Sequence, residues 1–462
     1  TDGSLGRETE YGFDIAGNQS IDPATLAKPS AAMPAFTAHP TAYYLLIDGV
    51  AGDSQDDGRE GWFKLDEFSL NQANSGSMQF GSGGAAGRAN FEDISVNLSG
   101  STALPALLDR VASGSHVPAL KIQGVSNRGE TIYDLTLNDV LVSSVSEFAG
   151  WGGISSLSAA FDYGQIGLVT TELGRNGETV TQTYGWDVVM NRVIEPGSLD
   201  TPGNYGDIGA VRPTTYFLRI DGIAGDSRAD GFEGWFDLEA FGFGQTNSGT
   251  MQISSGGSAG TPSFNDLSVS LSGSAGLTSL LSRVSEGTVL PALEIVGVSR
   301  NANRPDGAVD HKIYDLTLND IIVSSISGSA TGFETSSLSA SFNYGRIGLV
   351  TAGVNTDGSL GREAEYGFDI AGNQSIDPAT LNKPSAPFTP VYTAHPTAYY
   401  MLIEGVAGDS QDVGREGWFK LDAFSLNQAN SASMHLGDDR AAGQANFEDI
   451  SVNLSGTTAL PE

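Results

Sequence analysis

The sequence contains no cysteine. Disulfide frameworks, thiolate metal sites and cysteine nucleophiles are therefore excluded. No apolar run approaches the roughly 18 residues that a membrane-crossing helix needs, so membrane insertion is not expected. Basic residues are scarce: 23 Lys and Arg stand against 55 Asp and Glu, a net charge of −32. Such a chain repels phosphate backbones and anionic bilayers, which argues against nucleic acid as a partner. The acidity runs along the whole chain, so it is not a charged tail. Long helical patterns are few. With 60 glycines among 462 residues, the composition points instead to strands and turns. The first residues show no signal-peptide pattern.

The length is that of about two to four domains, and an internal repeat supplies them. "TAYYLLIDGVAGDSQDDGREGWFKLDEFSLNQANSGSM" from Thr41 returns from Thr214 as "TTYFLRIDGIAGDSRADGFEGWFDLEAFGFGQTNSGTM". It returns again from Thr397 as "TAYYMLIEGVAGDSQDVGREGWFKLDAFSLNQANSASM", much closer to the first copy than to the second. The order is A, B, A. The opening stretch "DGSLGRETEYGFDIAGNQSIDPATL" recurs from Asp357. It reads as the end of a B-type unit whose body lies outside the sequence, and the 462 residues read as a window on a longer array. The expected division is as follows. Residues 1–24 end a preceding unit, and 25–40 link it to unit A at 41–196. A looser, Gly-containing link at 197–213 leads to unit B at 214–377. A Pro-rich link at 378–396 leads to the first part of another A-type unit, 397–462.

Within unit A, "YYLLID" (Tyr43–Asp48) is a short, apolar, β-rich run, read as a buried strand. "WFKLDEFSL" and the segment holding Phe91, Ile94 and Val96 have strand character. "LPALLDRVASG" changes period: Leu104, Leu107, Leu108 and Val111 fit one helical face. Pro105 suits the first turn and Gly114 the position just past the end. Copy B matches it from Leu277 to Gly287. "TIYDLTLNDVLVSSVS", "SSLSAAFDYGQIGLV" and "QTYGWDVV" add strands, with Tyr133, Leu135 and Leu137 on one face. Seven or more strands with one short helix imply a closed or nearly closed barrel. The fold class is all-β, mainly antiparallel.

"IYDLTLNDVLVSSVS" (Ile132–Ser146), "IYDLTLNDIIVSSIS" (Ile313–Ser327), the helix with its trailing "SG" and the terminal "GWD" (Gly185–Asp187) resemble the Hcp family of type VI secretion tube proteins. The resemblance covers units A and B and part of the last. It implies tandem β-barrels, each with one lateral helix, and self-assembly into stacking rings. It also implies that the loop before "NFEDISV" reaches a neighbouring ring. That nominates Gly83 and Gly84 in "GSGGAAGRA", and Gly256 and Gly257 in "SSGGSAGTPS", as assembly residues. Family members are typically single-domain chains, whereas units here are strung in tandem. Tyr11, Phe13 and Ile15 join the assembly set, because the final strand they belong to needs a partner.

Other chemistry is sparse. "DSQDDGREGW" offers Asp53, Asp57 and Glu60 as calcium candidates, with Asp226, Asp230 and Glu233 in copy B. The third copy replaces Asp57 by Val413, and the spacing of a calcium loop is not met, so a tight acidic turn is the favoured reading. No cofactor is expected, calcium being the single candidate. "GGSAG" (Gly256–Gly260) has the nucleophile-elbow spacing at Ser258, but its counterparts are Ala85 and Ala441. His39, His116, His311, His395 and His435 form no ligand pair. Trp62, Trp235 and Trp418 in "EGWF" are read as packing residues of the barrel cores. The Asn-x-Ser sites at Asn18, Asn97, Asn373 and Asn453 are read as turn and strand-end residues. The expected function is structural and not enzymatic: a self-associating, extracellular or cell-surface bacterial filament or tube. The alternatives are a type VI secretion tube component or effector carrier, and a repeat adhesin whose barrels are spacers or ligand-binding modules.

Overall fold

The computed structural model describes residues 13–14, 19–22, 26, 39–75, 89–99, 102–150, 154–173, 179–206, 213–251, 260–272, 276–299, 311–331, 337–355, 359–385, 396–434 and 443–454. Labels here go to the longer strands and the helices. In the first barrel they are β1 (Ala42–Ile47), β2 (Phe63–Ser69), β3 (Ile94–Ser99), α1 (Leu104–Ser113), β4 (Val117–Val125), β5 (Thr131–Gly150), β6 (Ile154–Leu173) and β7 (Thr179–Asp187). In the second they are β8 (Thr215–Ile220), β9 (Phe236–Asn247), β10 (Leu267–Ser272), α2 (Leu277–Glu286), β11 (Leu290–Val298), β12 (Lys312–Thr331), β13 (Ser337–Val354) and β14 (Leu360–Asp369). The third copy contributes β15 (Ala423–Asn430).

Six antiparallel strands close each full barrel. The first runs β1–β2–β3–β6–β5–β4 and back to β1. The second repeats it as β8–β9–β10–β13–β12–β11. Alternation fills the interior: Leu45, Ile47, Phe63, Ile94, Val96, Leu120, Ile122, Leu135 and Leu137 are buried together. The helix is where the sequence period places it, with Leu104, Leu107, Leu108 and Val111 buried and Gly114 left-handed just past its end. In copy B, Gly287 plays the same part. Such a residue reverses the chain at a helix end without the Cβ clash that other residues meet.

Strands β5 and β6 have 20 residues each, far beyond the usual strand length of about 5–6. Closure uses only part of β5: it pairs with β4 from Thr131 to Val140 and then runs past it. In the second barrel, β12 pairs with β11 only as far as Ile321. Each long hairpin therefore carries a backbone edge beyond its own barrel.

The segments expected to link the units begin as part of the barrel wall. The stretch after β7, expected to be loose, folds back over the outer face. The Asn138 amide donates to the Asp200 carbonyl (2.9 Å), and its oxygen accepts the Asp200 N–H (2.9 Å). Asn319 and Asn382 repeat the pair. Gly203 N–H donates to Asp48, and the Asn204 amide donates to the Glu60 carbonyl. Leu199 is buried against Gly167, where a Cβ would fall 2.6 Å from the Leu199 Cδ1. This explains why both faces of "YDLTLND" are covered, Thr136 and Asn138 included.

The tryptophans pack, but not in the barrel interiors. Trp62 joins Tyr44 and Leu46 in a separate outer cluster, with the Arg59 guanidinium over its ring at 5.2 Å. Trp235 does the same with Phe217, Val296 and Arg219. At the start of the chain, Phe13–Asp14 pairs with Gln19–Ser20. The same small hairpin closes β7, Trp186–Asp187 against Arg192–Val193, and β14, Phe368–Asp369 against Gln374–Ser375. Tyr11 and Ile15 lie outside the described residues.

Asn138→Ala removes the fastening of this segment. It is expected to cost the first barrel about 1–3 kcal/mol in chemical denaturation and to open residues 199–206 to limited proteolysis. An unchanged digestion pattern would mean the docking is incidental.

Candidate assembly interface

The free edge of β5 is taken up by the next barrel. Residues 144–150 pair antiparallel with 240–246 of β9, Ser144 opposite Thr246 and Gly150 opposite Ala240. Residues 325–331 of β12 pair with 423–429 of β15, Ser325 opposite Ala429 and Thr331 opposite Ala423. These are equivalent positions of the repeat, so the chain makes one joint twice in one register. The first and second barrels offer the first strand of their long hairpins, and the second barrel and the third copy receive on the strand after their "EGWF".

Side chains lock the register. Asn247 donates to the Val111 carbonyl near the C-terminus of α1, at 2.8 Å, and Asn430 donates to the Val284 carbonyl of α2, also at 2.8 Å. Carbonyls in a last helical turn have no partner within the helix, so an amide from the next barrel satisfies them. The same asparagines accept from the Gly249 and Ala432 N–H groups, turning their own loops. The Gln428 amide reaches Ser285 Oγ at 2.7 Å, while its counterpart Gln245 donates to Tyr366. On the far side, Asp162 accepts from Thr250 Oγ1 and Met251 N–H, both at 2.8 Å, and Asn343 accepts from Met434 N–H at 2.6 Å. Helix α1 also lies against β9 and β14 of the second barrel. It buries six residues, whereas α2, facing only part of a third copy, buries two.

The first barrel has the same receiving edge. Its Gln72 and Asn74 are exposed, whereas Gln245, Asn247, Gln428 and Asn430 are buried. There the strand is interrupted between Ser69 and Gln72, while β9 runs unbroken from Phe236 to Asn247. The Gln-x-Asn triplet stands in all three copies, and that recurrence was the available sign of these residues. Nothing local in the triplet shows this role, because the asparagines' partners are helix carbonyls 136 and 146 positions away.

The first joint encloses a carboxylate. Glu147 is partly exposed as a residue, but its carboxyl is surrounded by protein and accepts from the Tyr314 hydroxyl of the second barrel at 2.6 Å. Burial pushes it up to about 7, against the lowering effect of that hydrogen bond. Tyr314 is raised well above the ordinary phenol range by burial and then by Glu147.

The calcium candidates sit otherwise. Asp57, Glu60, Asp230 and Glu233 are exposed. The loop of the first barrel is held by backbone bonds such as Gly52 N–H to Gly61 and Ser54 N–H to Trp62, while Asp56 takes Tyr44 and Lys64. Among the described residues no three His, Asp or Glu side chains are grouped to hold an ion, Asp53 and Asp226 included. Gly83, Gly84, Gly256, Gly257 and Ser258 lie outside the described residues. Among those described, no helix is long and apolar enough to cross a membrane.

The fold and the repeated joint define a chain of tandem closed β-barrels bolted edge to edge. A family profile described as type VI secretion system effector, Hcp, matches residues 44–185, 217–349 and 400–461, so the chain belongs to the Hcp family. Three solved structures illustrate the likeness. One, described as a type six secretion system protein, is 21% identical, with 33% of this chain and 99% of that one covered and a TM-score of 0.31. Hcp1 from Salmonella typhimurium is 22% identical, with 33% and 98% covered and a TM-score of 0.29. The secreted protein Hcp3 from Pseudomonas aeruginosa is 16% identical, with 30% and 96% covered and a TM-score of 0.22. No curated protein gives a significant match.

Asn247→Ala is expected to loosen the first joint by about 1–3 kcal/mol. Hydrogen exchange should then speed up across 240–246 and at the end of α1, but not in β11. Asn430→Ala should do the same at the second joint. Slowed or unchanged exchange at both would contradict the locking role.

Proposed function

We propose that this chain is a structural, self-assembling protein whose barrels form the wall of an extracellular tube or filament. The observation that carries the reading is the joint made twice, in one register and one direction. Its two faces differ, the long hairpin on one side and the Gln-x-Asn edge on the other. A head-to-tail contact repeated with a constant rotation closes into a ring or continues as a helix. The receiving edge of the first barrel (Glu67–Ala73) would take a further B-type hairpin in the same way. Tandem linkage fixes the order of neighbours, which suits a lasting wall. The division into units at 41–196 and 214–377, with linkers between, belongs to this proposal.

Family membership favours a second reading, a type VI secretion tube component or effector carrier. Both readings give the chain a structural role and the same lateral joint. They differ in whether the assembly is expelled by a secretion machine or stays at the cell surface.

A net charge of −32 opposes assembly. Electron microscopy of the full chain should show curved arcs, rings or filaments with barrels side by side, and these should be favoured by salt or by divalent cations such as calcium. Isolated single chains with separated beads at every ionic strength would contradict the proposal.

A further inference from the structure

The two joints share a backbone register but differ in chemistry. At the first, Glu147 stands opposite Phe243 of the receiving strand; at the second, Gly328 stands opposite Leu426. A second difference lies nearby. In barrel B the Asn343 amide donates to Asp266 at 2.7 Å. The counterparts in barrel A are both acids, Asp162 and Asp93. Asp162 is buried, and it is the residue that receives Thr250 and Met251 from the second barrel. Two carboxylates therefore stand in barrel A where barrel B has an amide bonded to a carboxylate.

We propose that the A-to-B joint is acid-strengthened while the B-to-A joint is not, so that every second joint of the repeat responds to pH. This needs only the contacts inside one chain and stands apart from whether chains assemble.

The surroundings of Glu147 support the direction. Tyr314 faces it from β12, and Tyr216 interacts with it from β8. The residues opposite it, Leu157 on β6 and Phe243 on β9, carry no titratable group. Asp315, next to Tyr314, is paired with Lys312 and Lys383. No cation among these contacts offsets the Glu147 charge. When the joint opens, Glu147 returns towards its ordinary value of 4.5; when closed it titrates near 7. The closed joint is therefore fully stabilised below about 4.5 and weakens as pH rises through 7.

The test is hydrogen exchange on the full chain between pH 5 and 8, corrected for intrinsic exchange rates. Protection across 240–246, relative to 423–429, should fall by tenfold to 100-fold over that range. Glu147→Gln should hold it high and nearly flat. Tyr314→Phe removes the bond that favours the charged form, so it should move the midpoint upward, which a purely structural role would not do. A flat ratio in the unmodified chain, or a Glu147→Gln profile that follows it, would overturn the proposal. Should Glu147→Gln fail to fold, an unshifted midpoint in Tyr314→Phe would overturn it as well.

Discussion

An unpaired sheet edge is the constraint on which this structure depends. A six-strand barrel closes with strands of ordinary length, yet β5 and β12 continue well past their closing partners. Backbone N–H and C=O groups left along such an edge must find partners, and a long flat edge invites another strand. Here the next barrel supplies it, and the sheet passes from one barrel into the next without a break in hydrogen bonding. The apolar core follows, running through both full barrels as one cluster.

What was legible in the sequence is what is local. The helix from Leu104, its left-handed stop at Gly114 and the alternation around Leu135 and Leu137 all follow from neighbours within a few positions. The repeat made the barrels countable. The joint was not legible, because β5 reads as a strand wherever its outer edge goes. A period of two shows which face of a strand is buried but not which edge is paired. Size alone points Trp62 to a barrel core, but it packs with Tyr44 and Leu46 on the outer face, where Arg59 covers it. By its glycines alone the segment after β7 reads as loose. Gly167 shows the opposite use of the residue: without a Cβ it leaves room for Leu199 to dock.

The alternation of A and B units has a physical counterpart. The joints share hydrogen-bond geometry and the asparagine that satisfies a helix end, so either could propagate an array. They differ where a carboxylate replaces a neutral group, at Glu147 against Gly328 and at Asp162 against Asn343. A repeat of one unit would make every joint alike; a repeat of two lets strength and responsiveness be set separately. The acidic loops that suggested calcium serve the outer face, where the Glu60 carbonyl holds Asn204 of the returning segment.

The central claim is that successive barrels pair edge to edge in one register, and cross-linking tests it most directly because the chain has no cysteine of its own. Ser329 lies opposite Ser425 across the second joint. The double variant Ser329→Cys/Ser425→Cys should oxidise rapidly to an intramolecular disulfide, whereas Ser329→Cys/Leu426→Cys, one position out of register, should not. Equal oxidation of the two pairs, or disulfides forming only between molecules, would contradict the account.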